Sequence, residues 1–82
     1  MIVYYTYILK SLRDKKYYYG SCKDFEKRLL EHNDGKVKAT KFRRRFVLHY
    51  FEKFETRSEA YKRELFFKSI DGYKWLKEQK IT

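Results

Sequence analysis

The apolar residues of this chain fall in runs that predict short strands and helices. Residues 2–9, IVYYTYIL, are almost all β-branched or aromatic, a composition typical of a strand buried on both faces. The polar residues 10–16 follow, and the sequence YYYG at 17–20 returns to strand composition. These segments predict an antiparallel hairpin whose second strand ends at Gly20.

A helix is predicted to follow the hairpin. The sequence Ser21-Cys22-Lys23-Asp24 resembles a capped helix start. Helix-spaced positions at i, i+4 and i+7 are then occupied by Phe25, Leu29 and His32. The pattern predicts a helix over about residues 24–32, which the following Asn-Asp-Gly sequence ends.

The second half of the chain predicts one strand and two helices. Residues 46–51 alternate, with Phe46, Leu48 and Tyr50 on one face and Val47, His49 and Phe51 on the other. A capping box from Thr56 to Glu59 opens a helix over about residues 57–68. Asp71 and Gly72 indicate a break before a last helix near residues 72–79.

The predicted order is therefore β-β-α-β-α-α in a single domain over residues 1–82. No repeat, linker or low-complexity segment interrupts this order. It predicts an α+β fold with a small antiparallel sheet.

The charge of the chain narrows the class of partner. Its 21 Lys and Arg residues exceed its 11 Asp and Glu residues, which gives a net charge of +10. Such an excess points to a polyanion, of which nucleic acid is the commonest. A membrane surface is the rival, but the sequence lacks a basic amphipathic helix with a wide apolar face, so we expect no membrane partner.

The composition also limits the chemistry and the compartment. Aromatic residues make up 21% of the chain, which is enough apolar surface for a small core without disulfides. Cys22 is the only cysteine, which excludes a disulfide framework and a thiolate metal cage. Because neither a membrane span nor a signal-peptide pattern is present, we expect a soluble, cytoplasmic protein.

The cations are concentrated in residues 36–45, KVKATKFRRR, where no acidic residue occurs. Runs of like charge are commonly just solvated loops. Contact with a phosphate backbone relieves their mutual repulsion, however, so we favour a nucleic-acid-binding loop that gives affinity without sequence preference. Its cations are Lys36, Lys38, Lys41, Arg43, Arg44 and Arg45.

Two tyrosines of the hairpin are candidates for chemistry. If Tyr7 lies directly opposite Tyr18, the turn falls near residues 11–14 and both phenols project from the same face of the sheet. The alternative is that both are ordinary packing residues.

Two side chains of the first helix are further candidates. Arg28 and His32 are spaced i, i+4, so they can converge on one group. Alternatively, Arg28 pairs with Asp24 or Glu31 on a solvated face, and His32 is a partly buried helix end.

Glu64 is the most informative acidic residue. Its helical neighbours Ala60, Tyr61 and Phe67 place its carboxylate toward the apolar side of the helix. A buried carboxylate must be paired with a cation, accept hydrogen bonds or hold a metal. A structural ion pair with Lys or Arg is the simplest explanation.

Taken together, these segments resemble the GIY-YIG nuclease family. The resemblance is carried by YTYILKS around Tyr7, by Tyr18-Tyr19-Gly20, and by SCKDFEKRLLEH and ETRSEAYKRELFFKS. It runs through about residues 3–69 and is greatest to the small stand-alone members. It implies a three-stranded antiparallel sheet flanked by helices, and hydrolysis of nucleic-acid phosphodiester bonds, with DNA favoured, assisted by one divalent metal, Mg²⁺ or Mn²⁺.

The resemblance also implies roles for individual residues. Tyr7 and Tyr18 are the paired site tyrosines, Arg28 the helix arginine, His32 the residue one turn on, and Glu64 the metal-binding carboxylate. The convergence of these groups suggests a mechanism in which Tyr7 is the general base, once the metal and nearby cations have made it more acidic. Arg28 contacts the phosphate, Tyr18 hydrogen-bonds the phosphate or orients the water, and His32 assists proton transfer or holds the phosphate.

The sequence departs from the family pattern in two places. The triplet Tyr5-Thr6-Tyr7 lacks the glycine of GIY, and residues 69–82 lack the asparagine that larger members carry after the glutamate. We expect none of the targeting domains of larger members, which leaves room for a protein partner that selects the target. The sequence does not indicate an oligomeric state.

Two other functions compete with a nuclease. A basic module that binds nucleic acid without cutting, including an inactive family member, would use strand tyrosines to stack bases and the basic loop to track the backbone. A ribosome-associated or other structural basic protein is the third, but it gains nothing from a carboxylate aimed at phosphate.

Overall fold

The computed structural model describes residues 3–82, and its elements confirm the predicted order. The strands are β1 (Tyr4–Ser11), β2 (Tyr17–Cys22) and β3 (Phe46–Phe54), and the helices are α1 (Phe25–Asn33), α2 (Arg57–Phe67) and α3 (Ile70–Glu78). The first strand was predicted from residue 2, and Ile2 lies outside the described residues. A short 3₁₀ turn at Lys41–Arg43, which the sequence did not predict, precedes β3.

The three strands form an antiparallel sheet in the order β2-β1-β3. Because β1 is the central strand, its residues 6–9 are buried, as their apolar run predicted. One face carries Tyr7 and Leu9 in a core that Leu29 of α1 covers. The other face carries Ile8 in a second core with Phe67 of α2 and Leu76 of α3.

The register of the hairpin differs from the prediction. Tyr7 pairs with Gly20, and Tyr18 pairs with Leu9, so the two tyrosines are not directly opposite. The loop sits one residue later than predicted, since the Ser11 N–H donates to the Lys16 carbonyl at 2.9 Å. The resulting slip is by an even number of residues, so both tyrosines still lie on the same face.

The second strand also continues beyond Gly20 to Cys22, so its predicted end was wrong. Ser21 lies within this strand, and the helix cap is Asp24, whose carboxylate accepts from the Lys27 N–H at 3.1 Å. Gly20 is needed within the strand because a Cβ there would lie 2.4 Å from the Tyr7 hydroxyl. The glycine therefore makes room for the phenol.

The third strand contains a bulge that changes which residues share a face. Ile8 pairs with Tyr50 and Leu9 with Leu48, so His49 is the extra residue. Before the bulge, Phe46 and Leu48 share one face, as predicted, and that face packs against α1. After the bulge the prediction fails, because Tyr50 packs with the Ile8 core, and Phe51 stacks on Phe25 of α1 at 5.4 Å between ring centroids.

The two C-terminal helices meet at a tight corner. The Thr56–Glu59 capping box is confirmed, since the Thr56 hydroxyl accepts from the Glu59 N–H at 3.2 Å. The predicted break at Asp71 and Gly72 is wrong, because Ser69 caps α3 and Gly72 lies inside it. A Cβ on Gly72 would lie 1.7 Å from the Phe66 carbonyl oxygen, so this glycine permits close packing of α3 on the end of α2.

Candidate active site

Tyr7 lies at the centre of the sheet face that α1 covers. Its side chain is almost completely buried, with 2% of the residue exposed. Its hydroxyl oxygen lies above Gly20 and 3.3 Å from Nε2 of His32. The central strand and the last turn of α1 therefore bring together a phenol and an imidazole that are 25 residues apart in the chain.

His32 is fully buried at the end of α1. Its second ring nitrogen, Nδ1, lies 2.7 Å from the Thr40 hydroxyl oxygen. Burial, together with the positive charge of Arg28, lowers the pKa of His32 from 6.5 to about 4. The ring is therefore neutral at neutral pH and can both accept and donate one hydrogen bond.

Tyr18 and Arg28 complete this cluster. The Tyr18 ring packs edge-on against His32, with 4.8 Å between ring centroids. Arg28 lies one turn before His32 on α1, where it also makes a long ion pair with Glu31 at 3.9 Å. The structure thus brings together four of the predicted catalytic residues, which we call the tyrosine cluster: Tyr7, Tyr18, Arg28 and His32.

The acidity expected for Tyr7 is not observed. Burial raises the pKa of the Tyr7 phenol well above 10, and the nearby guanidinium of Arg28 only partly offsets this rise. The sequence-based expectation of a more acidic phenol is therefore wrong for the protein alone. The phenol is protonated at neutral pH.

A groove beside the tyrosine cluster opens to solvent. It has a volume of about 690 Å³, and Arg28 is the member of the cluster that lines it. Its apolar wall includes Tyr5 and Phe25, whose rings pack edge to face at 4.9 Å between centroids. Burial raises the pKa of the Cys22 thiol, which also lines the groove, to about 11. This thiol is protonated at neutral pH and is a poor nucleophile.

Glu64 occupies the opposite side of edge strand β2 from the tyrosine cluster. Its Oε1 accepts from the Ser21 hydroxyl and its Oε2 from the Lys68 ammonium, each at 2.7 Å. Ser21 pairs with Thr6, whose hydroxyl donates to the Ala60 carbonyl of α2 at 2.6 Å. Gly20, which lies beneath the Tyr7 phenol, is the neighbour of Ser21 in the same strand. Successive residues of a strand point to opposite faces, so Glu64 and the tyrosine cluster lie on opposite faces of the sheet at β2. Glu64 is not among the residues that line the groove of Arg28.

The carboxylate of Glu64 is 13% exposed and has a structural ion pair, the simplest explanation that the sequence offered. Its donor type nevertheless fits Mg²⁺ or Mn²⁺, because Mg²⁺ commonly takes one or two carboxylates and keeps several waters. Within residues 3–82, no group of three or more His, Cys, Asp or Glu residues is arranged to hold a metal. Glu64 is thus a single-carboxylate candidate whose Lys68 partner would have to move.

A model of the GIY-YIG catalytic domain matches residues 3–74. The chain belongs to the GIY-YIG family. Its relatives include the UPF0213 protein SSP2268 of Staphylococcus saprophyticus, 47% identical over 90% of both chains. The UPF0213 protein YazA of Bacillus subtilis is 40% identical over 82% of this chain and 68% of its own.

The fold of the GIY-YIG domain agrees with a solved structure. The solution NMR structure of the UPF0213 protein BH0048 from Bacillus halodurans matches 96% of this chain and 86% of its own. The TM-score is 0.56 and the sequence identity 30%. Membership of the GIY-YIG family points to nuclease activity on nucleic acid in general.

Residues 36–45 of this GIY-YIG domain, which we call the basic stretch, are mostly exposed to solvent. Five of its six cations are exposed: Lys36, Lys38, Lys41, Arg44 and Arg45. Arg43 is instead half-buried, and its Nε donates to the Asp14 carboxylate at 2.8 Å. Arg43 therefore ties the stretch to the β1–β2 loop.

Three residues around the GIY-YIG site were not predicted from the sequence: Ser21, Lys68 and Thr40. The i, i+4 spacing of Glu64 and Lys68 was a readable signal of their ion pair. Thr40 is the one uncharged polar residue in the stretch 36–45, which was the available hint that it points inward. Nothing in the sequence indicated that Ser21 would face Glu64, since that contact joins residues 43 positions apart.

None of the helices in residues 3–82 has the length and apolar character needed to cross a bilayer.

Proposed function

We propose that this GIY-YIG domain is an endonuclease that hydrolyses phosphodiester bonds of nucleic acid, with DNA as the favoured substrate, in a reaction that depends on Mg²⁺ or Mn²⁺. The observation that carries the proposal is the 3.3 Å contact between the Tyr7 hydroxyl and a buried, neutral His32. A tyrosine that only packs needs no such base.

In the proposed reaction, Tyr7 takes a proton from the attacking water. Because the phenol is itself protonated at neutral pH, it can do so only if its own proton leaves at the same time. Nε2 of His32 lies 3.3 Å from the hydroxyl and would be the acceptor. His32 is thereby the final base, and Tyr7 relays the proton to it.

Arg28 would bind the scissile phosphate. Arg28 lines the groove and is close enough to lower the pKa of the Tyr7 phenol. A charge-assisted contact from its guanidinium to a non-bridging oxygen would stabilise the negative charge that builds there in the transition state. Tyr18, packed on His32, would hold the ring in place and hydrogen-bond the phosphate or the water.

Glu64 would hold the divalent ion. When bound, the ion would act as a Lewis acid on the phosphate and neutralise its charge. The Ser21 hydroxyl holds Oε1 at 2.7 Å, and Lys68, which donates to Oε2 at 2.7 Å, would have to release it. The exposed cations of the basic stretch would bind the nucleic-acid backbone without reading sequence. A separate protein partner would select the target.

The test is cleavage of end-labelled single-stranded, duplex, flapped and branched DNA with Mg²⁺, with Mn²⁺ and with a chelator. Tyr7→Phe should lose roughly 10²- to 10⁴-fold in rate, the usual range for a general base. Glu64→Ala should lose metal-dependent cleavage. Tyr73→Phe and Glu78→Ala, at exposed positions of α3, are matched controls that should keep wild-type rates.

Binding of the same DNA, measured by fluorescence anisotropy, separates the outcomes. Cleavage that survives in Glu64→Ala would refute the metal assignment. Absence of cleavage by the wild type on every substrate, with binding intact, would refute the nuclease proposal.

One observation favours a binding module that does not cut. Glu64 already has both oxygens paired, one with Ser21 and one with the Lys68 ammonium. A carboxylate neutralised in this way would serve only stability. If the protein is a binding module, neither Mg²⁺ nor Mn²⁺ should change its DNA affinity or raise its melting temperature. If it is a nuclease, a divalent ion should do both.

A further inference from the structure

We propose that Thr40 is a positioning residue that fixes the tautomer of His32, so that Nε2 is held without a proton toward the Tyr7 hydroxyl. The catalytic value of this arrangement rests on the proposed nuclease function. The arrangement itself follows from contacts within the protein and can be measured without any substrate.

Thr40 is the buried exception in an exposed segment. It is fully buried, whereas its neighbours Ala39 and Lys41 are exposed. The local backbone holds it there, since the Thr40 N–H donates to the Val37 carbonyl at 3.1 Å and the Arg43 N–H donates to the Thr40 carbonyl at 2.9 Å. The Thr40 side chain therefore points into the protein, where its hydroxyl contacts His32.

The Thr40–His32 contact can run in either direction, and the proposal selects one of them. A threonine hydroxyl has a single hydrogen. In the proposed arrangement that hydrogen is directed to the Val37 carbonyl at 3.4 Å, and the hydroxyl oxygen accepts from Nδ1 of His32 at 2.7 Å. A neutral imidazole carries one N–H, so with Nδ1 protonated, Nε2 has only its lone pair. That lone pair faces the Tyr7 hydroxyl at 3.3 Å.

The reverse arrangement would stop the proposed relay. If Thr40 donated to Nδ1, the N–H of His32 would be on Nε2 and would point at the Tyr7 oxygen. His32 could then accept no proton from Tyr7. The orientation of one buried hydroxyl therefore decides whether the histidine can act as the base.

The contact also joins two functional regions. Thr40 lies within the basic stretch, between Lys38 and Lys41, and its side chain ends on the histidine of the tyrosine cluster. Nucleic acid held by the stretch is thus one residue away from the group that sets the tautomer of His32.

The test is ¹⁵N NMR of histidine side chains, because long-range ¹H–¹⁵N couplings distinguish the two tautomers directly. The protein has two histidines, and His49→Gln identifies the His32 signals. In the wild type we expect protonated Nδ1 and unprotonated Nε2 at neutral pH. Thr40→Val, which keeps the shape but removes the hydroxyl, should shift the population toward protonated Nε2. Thr40→Ser should restore the wild-type pattern.

Cleavage gives the second measurement. Thr40→Val should lower the rate roughly 10- to 100-fold, by analogy with the loss of the partner that orients a metal-ligating histidine. Thr40→Ser should recover most of this loss, and DNA affinity should stay within about twofold in both variants.

The NMR measurement tests the role of Thr40, and the cleavage assay tests the nuclease proposal. Protonated Nε2 in the wild type would overturn the assignment of Thr40 even if Thr40→Val fails to fold. An unchanged tautomer in a folded Thr40→Val would overturn it as well. Absence of DNA cleavage by the wild type would refute the nuclease, whereas the tautomer measurement would still decide the role of Thr40.

Discussion

At the scale of single residues, burial decides the chemistry of the tyrosine cluster more than charge does. The sequence shows ten surplus positive charges, which suggested an acidified tyrosine. The structure instead removes Tyr7 and His32 from water, which raises the pKa of the phenol and lowers that of the imidazole. The pair is therefore neutral before the reaction, and a relayed proton puts a positive charge on buried His32, which its lowered pKa opposes, rather than a negative charge on Tyr7.

The lowered pKa of His32 predicts a pH-dependent loss of stability. Between the unfolded value of 6.5 and the folded value of about 4, the unfolded chain binds a proton that the folded protein does not. The free energy of unfolding therefore falls as the pH drops through this window. Relative to His32→Gln, the wild type should lose at most about 3 kcal/mol across it.

Urea unfolding at several pH values checks this loss. The exposed His49 supplies the control, and His49→Gln should keep the wild-type slope. A wild-type curve parallel to that of His32→Gln between the two pKa values would contradict the assignment of a buried neutral ring. The lowered pKa of Asp14, about 2, adds a loss below its usual 3.8 in every variant alike.

Gly20 gives a second test at this scale. A Cβ at this position would lie 2.4 Å from the Tyr7 hydroxyl oxygen and 2.5 Å from Cζ, and the buried ring has little room to retreat. We expect Gly20→Ala to cost about 1–3 kcal/mol of unfolding free energy, as overpacking does, and to disturb the Tyr7–His32 contact. The cost should be smaller in a Tyr7→Phe background, which removes the nearest atom. Equal costs in both backgrounds in chemical denaturation would show that the hydroxyl of Tyr7 is not what limits the methyl group.

At the scale of elements, the sequence predicted what depends on composition and missed what depends on register. The apolar run at 2–9 was sufficient to predict a central strand, and capping chemistry was sufficient at Thr56. The bulge at His49 has no local signature, so Tyr50 and Phe51 were placed on the wrong faces. Gly72 was misread because a glycine that breaks a helix and one that lets two helices touch look the same in sequence.

The residues of the candidate site also fall into two groups, those that local spacing predicted and those that only the folded chain brings in. The i, i+4 spacing of Arg28 and His32 was sufficient to place them on one side of a helix. Tyr7 and Tyr18 were correctly placed on one face of the sheet, because the hairpin register differs from the prediction by an even number of residues. The partners from distant segments could not be predicted, because Thr40 and Ser21 reach the site only after the loop and the sheet have formed.

The pairing of α2 with β2 makes Lys68 a competitor of the proposed metal. Its ammonium lies 2.7 Å from Oε2 of Glu64, on a carboxylate that is only 13% exposed. Lys68→Met should therefore bind Mn²⁺ about two- to tenfold more tightly, since an ion pair of this kind is worth roughly 0.5–1 kcal/mol or somewhat more when partly buried. It should also lower the melting temperature without metal.

Mn²⁺ titration followed by electron paramagnetic resonance measures this change. Lys62→Met, at an exposed position of the same helix, is the matched control and should bind as the wild type does. An unchanged affinity in Lys68→Met would mean that the ion does not use Glu64, whatever the cleavage assays show.

At the scale of the whole molecule, the question is whether the charge of +10 acts as a diffuse field or through one loop. Binding to duplex DNA through Z phosphates gives a slope of about −0.9Z in a plot of log affinity against log salt concentration. If the basic stretch makes the contacts, Lys36→Gln with Lys38→Gln should reduce the slope by about 2. The double variant Lys74→Gln with Lys77→Gln, which removes the same charge from exposed positions of α3, should leave the slope nearly unchanged.

Anisotropy titrations over a range of salt concentrations measure both slopes. Equal reductions in the two double variants would favour a diffuse field and would leave the basic stretch without a special role in binding.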